Sequence, residues 1–287
     1  MTSVGRAIIK LAAVPVLAGT IVFLYFSFQG RLSLAADIDI LGWPVHLYSF
    51  FMAAGILAGY FLSRRQALRL GFSEKIFDTA ILASLLFGLA AARLFFVAAH
   101  WSDNFSAHSQ DIVKFWQGGL SIYGGLLGGL FALVIVRRRY KFSLWKILDA
   151  LALALPVAQA IGRFGNFFNQ EAFGPPTALP WRMYVDPAHR PADFANDSFF
   201  HPVFLYESLG LMVIFFILRL AANKAKSPGM IFAWYAVLAG SLRVALETLR
   251  LDALILSGLK ISQVAAIVLM VSGSVILILK GHAGESG

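Results

Sequence analysis

FDTAILASLLFGLAAARLFFVAA, residues 77–99, decides the class of this protein. The stretch carries Asp78 at one end, Arg93 near the other, and no charge between them. A helix crosses the hydrocarbon of a bilayer in about 20 residues. The run is too long and too uniformly apolar for a barrel strand, which would alternate. Seven comparable stretches lie along the chain, at 7–28, 45–62, 119–136, 147–161, 203–221, 229–246 and 261–279. The expected fold is therefore all-α, a polytopic membrane helix bundle of about eight spans. The fifth stretch is short and contains Pro156, so it is expected to continue into the GRFGN segment that follows. No repeat of 20–50 residues is evident. Residues 1–36 read as an extra N-terminal span or a signal-like segment. Residues 37–287 read as one transmembrane domain with an outer loop at 162–202.

Composition agrees. Of 287 residues, 59% are hydrophobic and only 14% charged, where a soluble domain carries about a quarter charged residues. Mean hydropathy is +0.75. The formal charge of +9 would suggest nucleic acid in a soluble protein. In a membrane protein it belongs to cytoplasmic loops and anionic lipid, so no nucleic-acid partner is expected. Cysteine is absent, which excludes disulfides, thiolate metal sites and a cysteine nucleophile. Any thiol chemistry must use a thiol carried by the substrate.

The cations are unevenly placed. Arg6 and Lys10 precede the first stretch, Arg64, Arg65, Arg69 and Lys75 follow the second, and Arg137, Arg138, Arg139, Lys141 and Lys146 follow the fourth. With Arg219, Lys224, Lys226 and Lys280, that side collects 15 of the 24 Lys and Arg but only four of the 15 acids. The positive-inside rule then places both termini in the cytoplasm, with loops 29–44, 100–118, 162–202 and 247–260 outside. A second reading takes Arg6, Lys10, the apolar run and Ser33-Leu34-Ala35 as a cleaved secretory signal.

The informative polar residues lie near the outer face. Arg93, Arg163, Arg243 and Arg250 sit in or beside apolar helices, where an arginine costs roughly 2.5–3.5 kcal/mol at mid-membrane and faces a partner or a wet cavity. The densest constellation is GRFGNFFNQEAFG, 162–174. Gly162 and Gly165 admit close backbone approach. Arg163 offers a fork suited to phosphate or carboxylate, amid Asn166, Asn169, Gln170 and Glu171. A structural Arg163–Glu171 bridge is the plainer reading. Arg243 and Glu247 share a helix face, either as a simple ion pair or as part of a site, and Arg250 continues that face. His46 and Tyr48 open the second stretch, Tyr123 the fourth within GGLSIYGG (118–125), and His201, Tyr206 and Glu207 the sixth within HPVFLYES (201–208). Aromatic belts account for interfacial tyrosines generically. The orientation nevertheless puts Tyr48, Tyr123, Arg163, Asn166, Glu171, His201, Glu207, Arg243 and Glu247 at one membrane level. One polar cavity with two arginines suits an anionic phospholipid head group.

Residues 162–174 resemble the signature of the prolipoprotein diacylglyceryl transferase family, G-R-x-G-N-F-x-N-x-E-x-x-G. His46-x-Tyr48, Ala92-Arg93-Leu94, HPVFLYES and Arg243-x-x-x-Glu247-x-x-Arg250-x-Asp252 extend the resemblance over roughly 40–280. The first stretch lies outside it. The resemblance implies transfer of the diacylglyceryl group of phosphatidylglycerol to the lipobox cysteine of a preprolipoprotein at a bacterial inner membrane, with a thioether formed, glycerol phosphate released and no cofactor or metal. It also implies Arg163 and Arg243 as a phosphate clamp, and Asn166 and Tyr48 as head-group contacts. Glu171 and Glu247 would hold the arginines, while Gly124 and Gly174 would line the substrate. His46 and Tyr123 are candidates for proton handling, and Glu207 and Arg250 are expected to be structural. The family has histidine where this chain has Tyr123, a poor base at neutral pH. A diverged member acting on another lipid or acceptor, and a non-catalytic phospholipid-binding protein, are the alternatives. No inverted repeat with matching broken helices points to a transporter.

Overall fold

A computed structural model describes residues 19–20, 22–32, 36–40, 43–106, 108–115, 118–251, 255–256 and 259–283. Most of the 1–36 segment, including Ser33-Leu34-Ala35, lies outside the described residues, as does Asp252. Helix α1 is described over 22–28. It is followed by α2 (Leu47–Arg69), α3 (Glu74–Ala99), α4 (Ile122–Tyr140), α5 (Leu144–Phe168), α6 (Val203–Ala221), α7 (Met230–Glu247) and α8 (Ile261–Ala283). Among the described residues, six helices are long and apolar enough to cross a membrane, namely all from α2 to α8 except α4. Helix α4 spans 19 residues, and its last turn carries Arg137, Arg138 and Arg139.

Polar contacts tie helix ends together: the end of α2 meets the start of α3, the end of α3 meets the start of α4, and the starts of α5 and α7 lie at one level. Arg64 near the end of α2 binds Glu74 and Asp78 at the start of α3, at 2.6 and 3.2 Å. The Ser121 amide before α4 donates to the Ala92 carbonyl near the end of α3 at 3.0 Å. The Asp149 carboxylate near the start of α5 accepts from the amides of Gly229 and Phe232 at the start of α7, at 2.6 and 2.8 Å. That contact supplies a negative charge to a helix N-terminus and so satisfies two of its orphan donors.

Glycine sets the spacing where helices touch most closely. Helix α2 packs mainly on α5, α3 on α4, and α7 on α8. A Cβ on Gly128 of α4 would lie 2.5 Å from both the Phe87 carbonyl and the Ala91 Cβ of α3. Lipid offers no hydrophobic drive for helix pairing, so such backbone approach carries the packing. Outward residues such as Leu82, Leu94, Leu126 and Phe131 stay exposed, as a lipid-facing surface requires.

Helix α5 runs through Pro156 and the GRFGN segment to Phe168. The connection to α6 is thus shorter than the 162–202 loop read from the sequence. Two pairs of short strands frame the site end: β1 (Asp37–Ile40) against β2 (Trp43–His46), and β3 (Met183–Tyr184) against β4 (Phe199–Phe200). A third pair, β5 (Ile255–Leu256) and β6 (Leu259–Lys260), precedes α8. Under the α5–α6 connection, Phe28, Phe167, Phe173, Met183, Val185, Phe200 and Phe204 form one buried cluster.

Candidate functional site

The ends of α5 and α7 and the start of α6 bring Arg163, Arg243 and Glu207 together. The Glu207 carboxylate accepts from Arg163 Nη2 at 2.7 Å and from Arg243 Nη1 at 3.3 Å. Arg243 Nε also faces Glu247 Oε2 at 3.1 Å, one turn along α7. Glu247 is fully buried; its other oxygen accepts from Ser262 Oγ of α8 at 2.5 Å. The arginine side chains keep 26% and 23% of their surface exposed, against 9% and 0% for the two glutamates. The carboxylates are therefore the buried members of the cluster, and the arginine side chains its partly exposed ones.

Arg163 is positioned by α2. A Cβ on Gly165 would meet the Tyr48 ring at 3.0 Å and the Tyr48 carbonyl at 3.3 Å, and one on Gly162 would meet Met52 Sδ at 3.3 Å. These two glycines let α2 lie against α5, which seats Tyr48 on the signature. Asn166, three residues after Arg163 on the same face, accepts from Arg163 Nη1 at 3.3 Å. Its amide donates to Glu171 Oε1 at 2.8 Å. Beyond Phe168 the chain turns back through left-handed residues at Gln170 and Ala172, φ 49° and 56°. Buried Gln170 anchors that turn by accepting from the Asp186 amide at 2.6 Å and donating to its carboxylate at 2.5 Å. Such backbone costs about 1–3 kcal/mol per residue and persists only where neighbours enforce it.

Several sequence expectations change here. Glu171 does not bridge to Arg163 directly: it holds Asn166, and Asn166 holds the arginine. Glu207, expected to be structural, has that role at the centre of the group: its carboxylate joins the two arginines. An acid one turn inside an apolar helix was its sequence signal, since such a carboxylate needs cations. Arg93 leaves the group altogether. It donates to the backbone carbonyls of Ile112, Gly118, Gly119 and Asp111 at 2.6–3.0 Å and stacks near Phe96 and Phe105. It organises the α3–α4 connection, where the Lys114 ammonium, 2.6 Å away, holds the Asp111 carboxyl below its ordinary value.

The other candidates scatter around this core. His46 ends β2 as a mostly exposed side chain, with its Nδ1 against the Asp37 carboxylate of β1. It stands two residues from Tyr48. Tyr123 is half exposed at the start of α4, and Gly124 beside it packs on α3, where a Cβ would meet the Ala91 carbonyl at 2.6 Å. Gly174 is likewise filled by protein, with the Leu249 carbonyl 2.7 Å and His201 Cβ 2.9 Å from its would-be Cβ. His201 Nδ1 and Trp181 Nε1 both meet the Tyr206 hydroxyl, at 3.1 and 2.8 Å. Two contacts that the sequence did not suggest, one buried and one partly buried, support α5. Ser208 Oγ donates to the Ala160 carbonyl at 3.0 Å, and the Tyr235 hydroxyl donates to Gln159 at 3.1 Å. Among the described residues no group of three His, Cys, Asp or Glu could hold a metal.

A family model described as prolipoprotein diacylglyceryl transferase matches residues 36–279. A protein of Fervidobacterium nodosum named phosphatidylglycerol–prolipoprotein diacylglyceryl transferase is 38% identical over 272 residues, 93% of each chain. One of the same name from Acaryochloris marina is 42% identical over 227 residues, 78% of this chain and 82% of the relative. Another from a Synechocystis strain is 36% identical over 239 residues, 81% and 84% of the two chains.

Proposed function

The chain belongs to the prolipoprotein diacylglyceryl transferase family, and from that premise we propose that it moves the diacylglyceryl group of phosphatidylglycerol onto the lipobox cysteine thiol of a preprolipoprotein. The observation that carries this reading is the pair of partly exposed arginines, Arg163 and Arg243, held side by side by the buried carboxylates of Glu207 and Glu247. In the reaction the thiol sulfur bonds to the glyceryl carbon, the carbon–oxygen bond to phosphate breaks, and glycerol phosphate leaves with the electron pair. Charge grows on the phosphate oxygens as that bond breaks. Fixed guanidinium groups stabilise it without reorganising. Asn166, oriented by Glu171, and Tyr48, seated on Gly165, border the same space and orient the head group.

The thiol must also lose a proton, since a free thiol of pKa about 8.5 is only slightly ionised near neutral pH. His46 is the acceptor that a carboxylate partner orients. The Asp37 carboxylate on its Nδ1 fixes the tautomer and leaves Nε2 as the accepting nitrogen. Tyr123 has no such partner among the described residues. The site faces the outer side of a bacterial cytoplasmic membrane, where both substrates are presented, with the chain termini in the cytoplasm.

The test is an assay of purified protein with phosphatidylglycerol and a lipobox peptide, reading thioether and glycerol phosphate. Arg163→Ala and Arg243→Ala are each expected to lower kcat/KM by about a hundredfold or more. Absence of product under conditions where a relative works would sink the reading. A protein that only binds lipid would have no turnover for either substitution to remove.

A further inference from the structure

A second basic constellation lies at the other end of the bundle. Arg65 and Arg69, one turn apart on one face of α2, and Arg219 in the last turn of α6 surround a cavity of about 60 Å³. Its floor is apolar, built from Leu62, Leu153 of α5 and Phe215 of α6. Glu207 and Arg219 are twelve residues apart on α6, which at 1.5 Å per residue is about 18 Å along the helix. The cavity is thus separate from the Arg163–Arg243 cluster.

Its arginines are differently committed from their neighbours. Arg64 is ion-paired to Glu74 and Asp78. Arg65, Arg69 and Arg219 have no hydrogen bond or ion pair to any described residue, and no acid lines the cavity. Helix C-termini and membrane orientation both favour cations at this level. Neither explains why cations of two helices converge on one cavity, where like charges repel. An anion between them would turn that repulsion into a bridge from α2 to α6.

We propose that this cavity binds the phosphate of an anionic phospholipid from the adjoining leaflet. The guanidinium forks take the phosphate oxygens, and the glyceryl and first acyl carbons lie on Leu62 and Phe215. The apolar floor favours a lipid over free phosphate. The bound lipid ties together two helices whose opposite ends carry Tyr48 and Glu207.

The experiment uses the full chain in phosphatidylcholine nanodiscs with or without phosphatidic acid, an anionic lipid that is not the proposed donor. Native mass spectrometry reads the phosphatidic acid retained on the released protein. R65Q/R219Q is expected to lower retention by about tenfold or more, since each lost charge-assisted bond is worth at least a factor of this order. R138Q/R139Q removes the same charge from α4 and is expected to leave retention unchanged. Equal loss in both variants, or loss in neither, overturns the proposal. Inorganic phosphate added to phosphatidylcholine nanodiscs is expected to give no thermal protection; protection matching that of phosphatidic acid overturns the lipid assignment. If the double variant does not fold, R219Q alone decides, with tenfold loss supporting the site and unchanged retention overturning it.

Discussion

Glu207 explains how two arginines can stand beside one another in an apolar bundle. Its carboxylate is shared by Arg163 and Arg243, and Glu247 adds a second negative charge on Arg243. Removing one partner of a buried pair strands the other charge, at a cost of about 3–5 kcal/mol. Glu207→Gln is therefore expected to destabilise the protein by about 3 kcal/mol in denaturant unfolding and to abolish most turnover, although it touches no reacting atom. The proton question separates two other side chains. Losing a general base costs about 10²–10⁴-fold. His46→Ala is expected to fall in that range, and Tyr123→Phe to stay within about threefold. Steady-state rates with the lipobox peptide check both, and a hundredfold loss in Tyr123→Phe would return the proton to that hydroxyl.

Helix pairs set where these side chains stand. Helix α5 carries Arg163 because it continues through Pro156, a residue that ends helices in water but is tolerated where neighbouring helices enclose it. The same pattern of close backbone contact joins α3 to α4, and Gly128 offers its cleanest test. The Cβ of Gly128→Ala would press on the Phe87 carbonyl, so a loss of about 1–3 kcal/mol is expected in thermal unfolding, with α3 and α4 forced apart. The apolar stretches 203–221 and 261–279 were legible to within a few residues, because lipid tolerates few other structures. The short strand pairs were not. Asp37–Ile40 alternates acid and isoleucine over its four residues only and Trp43–His46 does not alternate, so the two owe their pairing to each other and to the start of α2.

The molecule as a whole is polarised by charge. Arginines gather at the ends of α2, α4 and α6, with few acids beside them, chiefly Glu74 and Asp78 on Arg64, while most acids stand at the opposite level. This asymmetry supports termini in the cytoplasm. A reporter fused after Lys280 is expected to signal from the cytoplasmic side, and an external signal would reverse the orientation and move the arginine cluster to the other face.

By itself, the sequence determined that this is a helical membrane protein, since residues 77–99 and their counterparts have no stable state in water. It also determined the family, because 162–174 and HPVFLYES are local strings whose spacing survives in one dimension. Which carboxylate faces which arginine was decided only by the tertiary structure. Arg163 has Glu171 eight residues away and Glu207 forty-four away, and it pairs directly with the distant one. The physical reason is that a carboxylate in an apolar helix must find its cation across a helix interface. That choice is made by how α5, α6 and α7 pack, which no local spacing encodes.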